Sequence, residues 1–199
     1  MSPIERFGAA TPDANRPMRA DARRNRARVL EAAESVFAAE GVGAPTEAVA
    51  RRAGVGIGTV FRHFPTKEAL LEAVLVERMR TLAEHARRAA EDDDPQAALF
   101  GFLEHVVEQS ATKHAFADAL SGAGVDVTEV VRDVRAALLA AVDALVARAR
   151  AAGAVRADVG GAAVVAVLVG ASHAAMWAPD EPTRATAIRV ILDGLRNAP

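Results

Sequence analysis

One side of a short predicted helix carries Gly58, Thr59, Arg62 and His63. The planar guanidinium of Arg62 can bind a guanine edge or a phosphate through two parallel hydrogen bonds. The Thr59 side chain is short enough to reach a base or a phosphate from the start of the helix. Such an outer face is suited to the major groove of DNA, where a helix reads base edges with a few side chains.

The residues around this helix predict the elements that hold it. Gly54 stands at a sharp turn, where a left-handed backbone favours glycine. Ala50 lies on the helix before this turn, and its small side chain lets that helix come close to the helix after the turn. The inward positions of both helices are apolar, which fixes a steep angle between them: Val49, Ala53, Val55, Val60 and Phe64. Residues 49–64 therefore predict a helix-turn-helix.

Three further contacts to DNA are expected near the ends of the second helix. Ile57 can touch a thymine methyl group, and His63 can donate a hydrogen bond to a phosphate. Lys67 can meet a phosphate together with the backbone N–H groups at the start of the next helix. The alternative for each is a solvent-exposed residue with no partner. The predicted DNA-binding set is Ile57, Gly58, Thr59, Arg62, His63 and Lys67.

Composition favours an all-α protein that is not an enzyme. Hydrophobic residues make up 51% of the 199 residues, and the chain contains no cysteine. The absence of cysteine excludes disulfides, thiolate metal sites and cysteine nucleophiles. We find no phosphate loop, no nucleophile elbow and no histidine pair at metal-binding helix spacing. No cofactor and no metal are therefore expected, and the acidic run at 91–94 is interpreted as a solvated loop.

Charge is unevenly distributed, although the net charge is only -2. Residues 1–67 hold eleven basic and seven acidic side chains, a net charge of +4. The remaining residues hold thirteen basic and nineteen acidic side chains, a net charge of -6. A basic first third followed by an acidic remainder is typical of a DNA-binding head on a body that avoids DNA.

Hydrophobic periodicity and helix stop signals divide the chain into three parts. Residues 1–20 are predicted to be a flexible tail, 21–66 the helix-turn-helix domain, and 67–199 a helical body. Arg23, Arg24, Arg26 and Arg28 crowd the start of the first helix, where cations oppose the helix dipole. The predicted helices outside the helix-turn-helix are 21–40, 66–90, 96–112, 127–152, about 160–177 and 183–197, with a short helix before Gly122.

The segment 161–178 contains no charged residue over eighteen positions. This is close to the lower length limit for a membrane span. Because the segment is rich in glycine and alanine, we predict instead a helix covered by its own domain and by a partner subunit. No membrane association is expected. The amino terminus lacks the apolar run of a signal peptide, so a cytoplasmic location is expected.

The motif resembles that of the TetR family of bacterial transcriptional regulators. The matching residues run from the first helix and Gly41 through 49–55, 58–64 and 67–70, about a quarter to a third of the chain. The resemblance implies about nine helices, three in a DNA-binding head and the rest in a body for ligand binding and dimerisation. It also implies a homodimer through helices at about 160–177 and 183–197.

For function, the resemblance implies a repressor that binds a near-palindromic double-stranded DNA operator. A small molecule would enter the body, move the fourth helix and release the DNA, as a shift between two populated states. An activator, or a regulator without a ligand, stays open as an alternative. A helical protein–protein adaptor without sequence-specific DNA binding is the alternative from another class.

Three positions depart from the family pattern. Phe61 stands where the family usually has a tyrosine whose hydroxyl binds a phosphate. Gly56 and Ala44 stand where the family usually has hydroxyl side chains at helix starts. These losses predict weaker anchoring, offset by the arginines.

The ligand pocket is the least specified prediction of the sequence. Apolar residues at inward positions, with one histidine among them, form the candidate lining: Met79, Leu82, Phe100, Leu103, Val107, Phe116, Leu138, His173, Met176 and Trp177. His105 is a second polar group on an apolar face. Ordinary core packing is the alternative for each residue. Because few buried charges are evident, an apolar or aromatic effector is expected.

Overall fold

The computed structural model describes residues 16–197, without side-chain detail at 16–20 and 110–113. Residues 1–15 of the predicted tail, and the side chains of Arg16 and Arg19, lie outside this description. Within it the chain forms ten α-helices: α1 (Arg16–Glu40), α2 (Thr46–Ala53), α3 (Ile57–His63), α4 (Lys67–Ala89), α5 (Pro95–Glu108), α6 (Ser110–Gly122), α7 (Val127–Val130), α8 (Arg132–Ala151), α9 (Gly161–Trp177) and α10 (Glu181–Asp193). The all-α prediction with an N-terminal helix-turn-helix is confirmed.

The first helix starts earlier than predicted, at Arg16 and not at 21. Arg23 therefore lies two turns inside α1, beyond the first turn in which the helix dipole acts strongly. The predicted conflict between these arginines and the dipole is wrong for this reason. Arg28 instead donates a hydrogen bond of 2.6 Å from Nη2 to the carbonyl oxygen of Ala53, at the end of α2.

Three other helix bounds differ from the sequence prediction. The predicted helix 96–112 is divided at Gln109 into α5 and α6, and the predicted helix 127–152 is divided at Val131 into α7 and α8. The last helix ends at Asp193 because the chain then pairs with the loop after α8. There the Arg156 N–H donates to the Leu195 carbonyl at 3.2 Å, and Val155 and Arg196 form an isolated β-bridge.

A first hydrophobic core lies beneath the helix-turn-helix. Its fully buried residues include Val29 of α1, Val49 of α2 and Val60 of α3, at the apolar positions that the sequence predicts. The core also contains residues of α4, α6 and the end of α7: Leu70, Leu71, Val74, Leu75, Met79, Phe116, Leu120 and Val131. The packing around the helix-turn-helix therefore continues past Thr66 into the body.

A second hydrophobic core fills the body. It is formed by the C-terminal part of α4 together with α5, α8, α9 and α10, and its fully buried residues include Leu99, Leu103 and Leu145. α4 packs extensively along α8, and α8 in turn packs against α9. At Gly161 an added Cβ would lie 2.9 Å from the Cα of Asp143, so glycine lets α9 approach α8 this closely.

Side chains and glycine fix several helix ends. The Thr66 hydroxyl accepts a hydrogen bond of 3.1 Å from the Ala69 N–H and caps α4, as the sequence predicts. Asp94, in the acidic run, caps α5 by accepting from the Gln96 and Ala97 N–H groups. The run therefore has a structural role. Within residues 16–197 no group of three possible ligand side chains suits a metal ion.

No helix of the described residues is long and apolar enough to cross a membrane. The uncharged segment 161–178 corresponds to α9, which has seventeen residues and packs against α8 and α10.

Gly54 terminates α2 in a left-handed conformation, with φ +64° and ψ +38°. The Gly54 and Val55 N–H groups both donate to the Ala50 carbonyl, which closes the helix end before the turn. A Cβ at Gly54 would also lie 3.0 Å from Arg28 Nη2. Backbone and side-chain sterics therefore both require glycine here.

We expect Gly54→Ala to lower the free energy of unfolding by about 1–2 kcal/mol, the cost of a left-handed conformation for a residue with a Cβ. Gly43→Ala is the matched control, since no atom lies within 4 Å of its added Cβ and its φ is not positive. Urea unfolding followed by circular dichroism measures both variants. Equal stability of the two would contradict this account of the turn.

Candidate functional site

The helix-turn-helix presents α3 as a short, largely exposed helix. α3 begins after Gly56 without a side-chain cap, and the Thr59 N–H donates to the Gly56 carbonyl at 2.8 Å. Val60 is fully buried against α1 and α2, which fixes the rotation of α3 about its axis. At its end the Phe64 N–H donates to the Val60 carbonyl at 2.8 Å, and Phe64 is buried.

The predicted DNA-binding residues lie together on and beside α3. Gly58 and Arg62 are exposed, whereas Thr59 and His63 are half-buried. Ile57 is half-buried and packs against the first core, which leaves only part of its side chain for a partner. Lys67, at the start of α4, is half-buried with Nζ 6.0 Å from the centre of the Phe37 ring.

Arg62 differs from the arginines of α1 in its contacts. Arg24 pairs with Asp21, and Arg26 lies over the Phe64 ring at 5.2 Å. Arg28 is bound to the end of α2. Arg62 forms no ion pair with a carboxylate of residues 21–197, and its guanidinium is exposed to solvent. It is therefore available for an external anion or a base edge.

Two cations near α3 were not among the predicted site residues. Arg51 and Arg52 are exposed in the last turn of α2, next to the turn at Gly54. Their position beside the glycine turn was the signal available in the sequence. Phe61 is 43% exposed on α3 and offers only ring carbon atoms, in agreement with its interpretation as a departure from the usual pattern.

The helical body contains two adjacent cavities. The polar cavity, of about 400 Å³, lies between α1, α4 and α5 and is lined by Glu34, Leu75, Arg78, Met79, Thr81, Leu82, His85, Arg88, His105, Val106 and Gln109. The apolar cavity, of about 280 Å³, lies among α4 to α9, and its lining includes Phe102, Leu138, Leu139, Val142, Val165 and Leu168 together with the polar Thr128, Arg135 and Ser172. Leu75, Met79, Leu82 and Val106 line both cavities. Both volumes are near the lower end of the range for small-molecule sites, roughly 300–1,000 Å³.

The candidate pocket residues separate into three groups. Met79, Leu82 and Leu138 line one or both cavities. Four others are buried in the two cores and line neither cavity: Phe100, Leu103, Val107 and Phe116. Met176 and Trp177 are 45% and 85% exposed at the end of α9, so they belong to the surface and not to a cavity wall.

The histidines form two ring pairs in the body. His85 and His105 meet edge to face in the polar cavity, with ring centres 4.9 Å apart. The pKa of His85 is lowered by burial first, and then by the nearby charges of His105 and Arg88. His173 is exposed, with its ring 4.8 Å from that of His114 and its Nδ1 2.9 Å from the Val169 carbonyl oxygen.

Family models match both parts of the chain. Residues 29–74 match the family described as bacterial regulatory proteins, tetR family. Residues 94–197 match the C-terminal domain described as transcriptional regulator SbtR-like. The first match contains the helix-turn-helix, and the second covers α5 to α10.

Solved structures agree with these matches. A TetR transcription regulatory protein from Mycobacterium vanbaalenii is 47% identical with a TM-score of 0.73, covering 90% of this chain and 99% of that chain. The TetR transcriptional regulator SCO0520 from Streptomyces coelicolor is 33% identical with a TM-score of 0.70, covering 87% and 99%. Among curated proteins, the HTH-type transcriptional regulator TtgW from Pseudomonas putida is 44% identical over 64 residues, which are 32% of this chain and 48% of that protein.

The lowered pKa of His85 predicts a pH-dependent stability. Because the folded-state pKa lies below the unfolded value of about 6.5, this residue's contribution is fully present above pH 6.5. It is lost as the pH falls through the folded-state pKa. We expect His85→Gln to flatten this part of the profile, measured by urea unfolding at pH values from 7.5 to 5. Parallel profiles for the variant and the unchanged protein would contradict the assignment.

Proposed function

The chain belongs to the TetR family of DNA-binding transcriptional regulators, and we propose that it is a repressor released from its operator by a small molecule. It binds a near-palindromic operator as a homodimer, with one α3 in each of two successive major grooves. Because its operator is genomic DNA in a bacterial cell, it acts in the cytoplasm. No catalytic step is part of this function.

The exposed guanidinium of Arg62 on α3, which pairs with no carboxylate of residues 21–197, is the observation that carries the proposal. α3 is held from behind by Val60 and Phe64, so its outer face has a fixed orientation. A guanidinium on such a face binds the O6 and N7 atoms of guanine with two hydrogen bonds, a contact that discriminates between bases. Lys67 and the exposed arginines of α2 then supply contacts to phosphates, which position the helix.

An exposed apolar surface on α9 and α10 supports the homodimer. The surface contains Val169, Met176 and Trp177 of α9 and Val190 of α10, which are 45% to 85% exposed. Such a patch on two adjacent helices is typical of a subunit interface. Pairing the same surface of two copies gives a two-fold axis, and a two-fold protein matches a near-palindromic operator.

The two cavities support a small-molecule effector. Both are bordered by α4, which begins directly after the helix-turn-helix. A ligand that fits the cavities better in one position of α4 than in another shifts the population towards that position. The size of the shift equals the difference between the ligand's binding free energies for the two positions.

In vitro selection of DNA by the purified protein at physiological salt is the test of DNA recognition. We expect a near-palindromic site to be enriched, and Arg62→Ala to weaken binding to that site by about 1–3 kcal/mol, which is roughly 5- to 150-fold. Arg80→Ala is the matched control, because Arg80 is an exposed arginine of α4 that pairs with Glu77. Stability of the Arg62 variant should be unchanged, since the side chain is exposed.

Failure to enrich any sequence, with weak binding at all salt concentrations, would overturn the proposal in favour of a protein–protein adaptor. Equal losses of DNA affinity for Arg62→Ala and Arg80→Ala would show that binding depends only on the total charge of the protein. That result would contradict base recognition by α3.

We expect Val169→Glu combined with Trp177→Glu to convert a dimer into a monomer, because two carboxylates would be buried at an apolar interface. Sedimentation velocity measures the mass against the 20.8 kDa of one chain. Ala97→Glu combined with Ala123→Glu, at two exposed positions outside α9 and α10, is the charge-matched control and should stay dimeric. A dimer that survives the double substitution would place the interface elsewhere.

A further inference from the structure

Arg78 of α4 connects three separate elements through one guanidinium. Its side chain is only 12% exposed. Its Nη1 lies 3.4 Å from Glu34 Oε1 on α1, and its Nη2 donates a hydrogen bond of 2.8 Å to Gln109 Oε1 at the end of α5. The guanidinium also lies 5.9 Å from the centre of the Phe116 ring of α6. The helix-turn-helix side of the molecule is thus joined to the body at this residue.

Hydrogen-bond donors converge on the polar cavity around Arg78. Arg88 lies about three turns further along α4 and is exposed, and His85 and His105 line the same space. The only carboxylate among the lining residues is that of Glu34, whose side chain is 50% exposed. Two permanent cations therefore face one carboxylate, and the lining favours an added negative charge.

The polar cavity lies next to the apolar cavity and shares apolar lining residues with it. Leu75, Met79, Leu82 and Val106 form a wall common to the polar and the apolar cavities. A ligand that places an apolar body against this wall can keep its charged end beside Arg78 and Arg88. The volume of the polar cavity, about 400 Å³, is sufficient for a small bicyclic molecule.

We propose that the polar cavity binds an organic anion with an apolar body, and that the ligand's carboxylate displaces Glu34 from Arg78. The inference rests on the proposed function, because it names the chemical class of the effector and the contact through which it acts. It adds a negative charge to the apolar or aromatic effector expected from the sequence.

The displacement is favoured by the environments of the two carboxylates. Glu34 is half-exposed and its contact with Arg78 is 3.4 Å long, so water screens the attraction. A ligand carboxylate inside the cavity interacts with Arg78 where less water screens the charge. Glu34 belongs to α1, so its release removes a polar link between α1 and α4 and leaves their apolar packing in the first core. The coupling is reciprocal. If the anion weakens the contact between α1 and α4 by some factor, a partner that holds α1 against α4 weakens binding of the anion by that same factor.

Three probes with the same apolar body but different charge test the ligand class: 2-naphthoate, 2-naphthol and 2-naphthylmethylammonium. Isothermal titration of the full-length protein without DNA measures each dissociation constant. We expect 2-naphthoate to bind about tenfold tighter than 2-naphthol, from charge-assisted hydrogen bonds in place of neutral ones. The ammonium compound should bind more weakly than either.

Variants of the lining test the residues. Arg78→Gln and Arg88→Gln should each reduce the preference for naphthoate over naphthol about fivefold or more, while Arg80→Gln leaves it unchanged. Glu34→Gln should tighten naphthoate binding, because it removes the competing carboxylate, and leave naphthol binding unchanged. A merely structural role of Arg78 would lower the affinity for both probes equally.

The inference is overturned if naphthol or the ammonium compound binds as tightly as naphthoate. It is overturned equally if none of the three binds at millimolar concentration, or if Arg78→Gln and Arg88→Gln keep the preference. These outcomes are read without DNA, so they are independent of operator recognition. Selection of an operator together with a failed charge preference removes this inference alone, whereas a charge preference without an operator removes the repressor proposal alone.

Discussion

The long helix α4 is shared by both hydrophobic cores, and the rest of the structure depends on this continuity. Leu70 and Met79 are buried in the first core beneath the helix-turn-helix, and Ala86 is buried in the second core within the body. A helix of 23 residues is about 35 Å long and is held rigid by its own backbone hydrogen bonds. The two cores are therefore connected by a single continuous helix.

Polar contacts hold α4 at both ends and between them. Thr66 caps its first turn, directly behind α3. Beyond its other end, Arg148 of α8 donates to the carbonyl oxygens of Ala90 and Asp92, which fixes the C-terminus of α4 to the body. Arg78 lies between these points and holds the only ion pair between α1 and α4 within residues 21–197. Loss of the Arg78–Glu34 contact would thus remove a polar link between α1 and α4 while both ends of α4 stay attached.

The sequence predicts those features that depend on local patterns. The left-handed turn at Gly54 and the buried apolar positions Val49, Val60 and Phe64 follow from residue type and spacing. The break between α7 and α8 at Val131 was missed because no glycine or proline marks it. Asp126 caps the start of α7, where its side chain accepts from the Thr128 and Glu129 N–H groups, and no side chain caps α8 at Val131.

Membership of the cavities could not be predicted in the same way. Helical periodicity identifies Leu103 and Leu138 equally as inward residues, yet only Leu138 lines a cavity, because the gap depends on how α4, α8 and α9 are placed relative to each other. A signal for Arg78 was present, since it occurs next to Met79 and between Leu75 and Leu82 in an apolar stripe. A cation at such a position requires a polar partner in the fold.

The arginines consequently have two different roles, and the basic charge of the first third is not all directed at DNA. Arg28 and Arg148 each donate hydrogen bonds to backbone carbonyls at the end of another helix. The negative end of that helix's dipole also stabilises the positive charge of the guanidinium. Within the described part of the chain Arg62 forms no such bond, and it is exposed on α3. Since Phe61 and Gly56 contribute no side-chain hydroxyl, phosphate binding relies on cations more than on neutral donors. Affinity for DNA that depends on cations releases counterions and must fall steeply as salt increases.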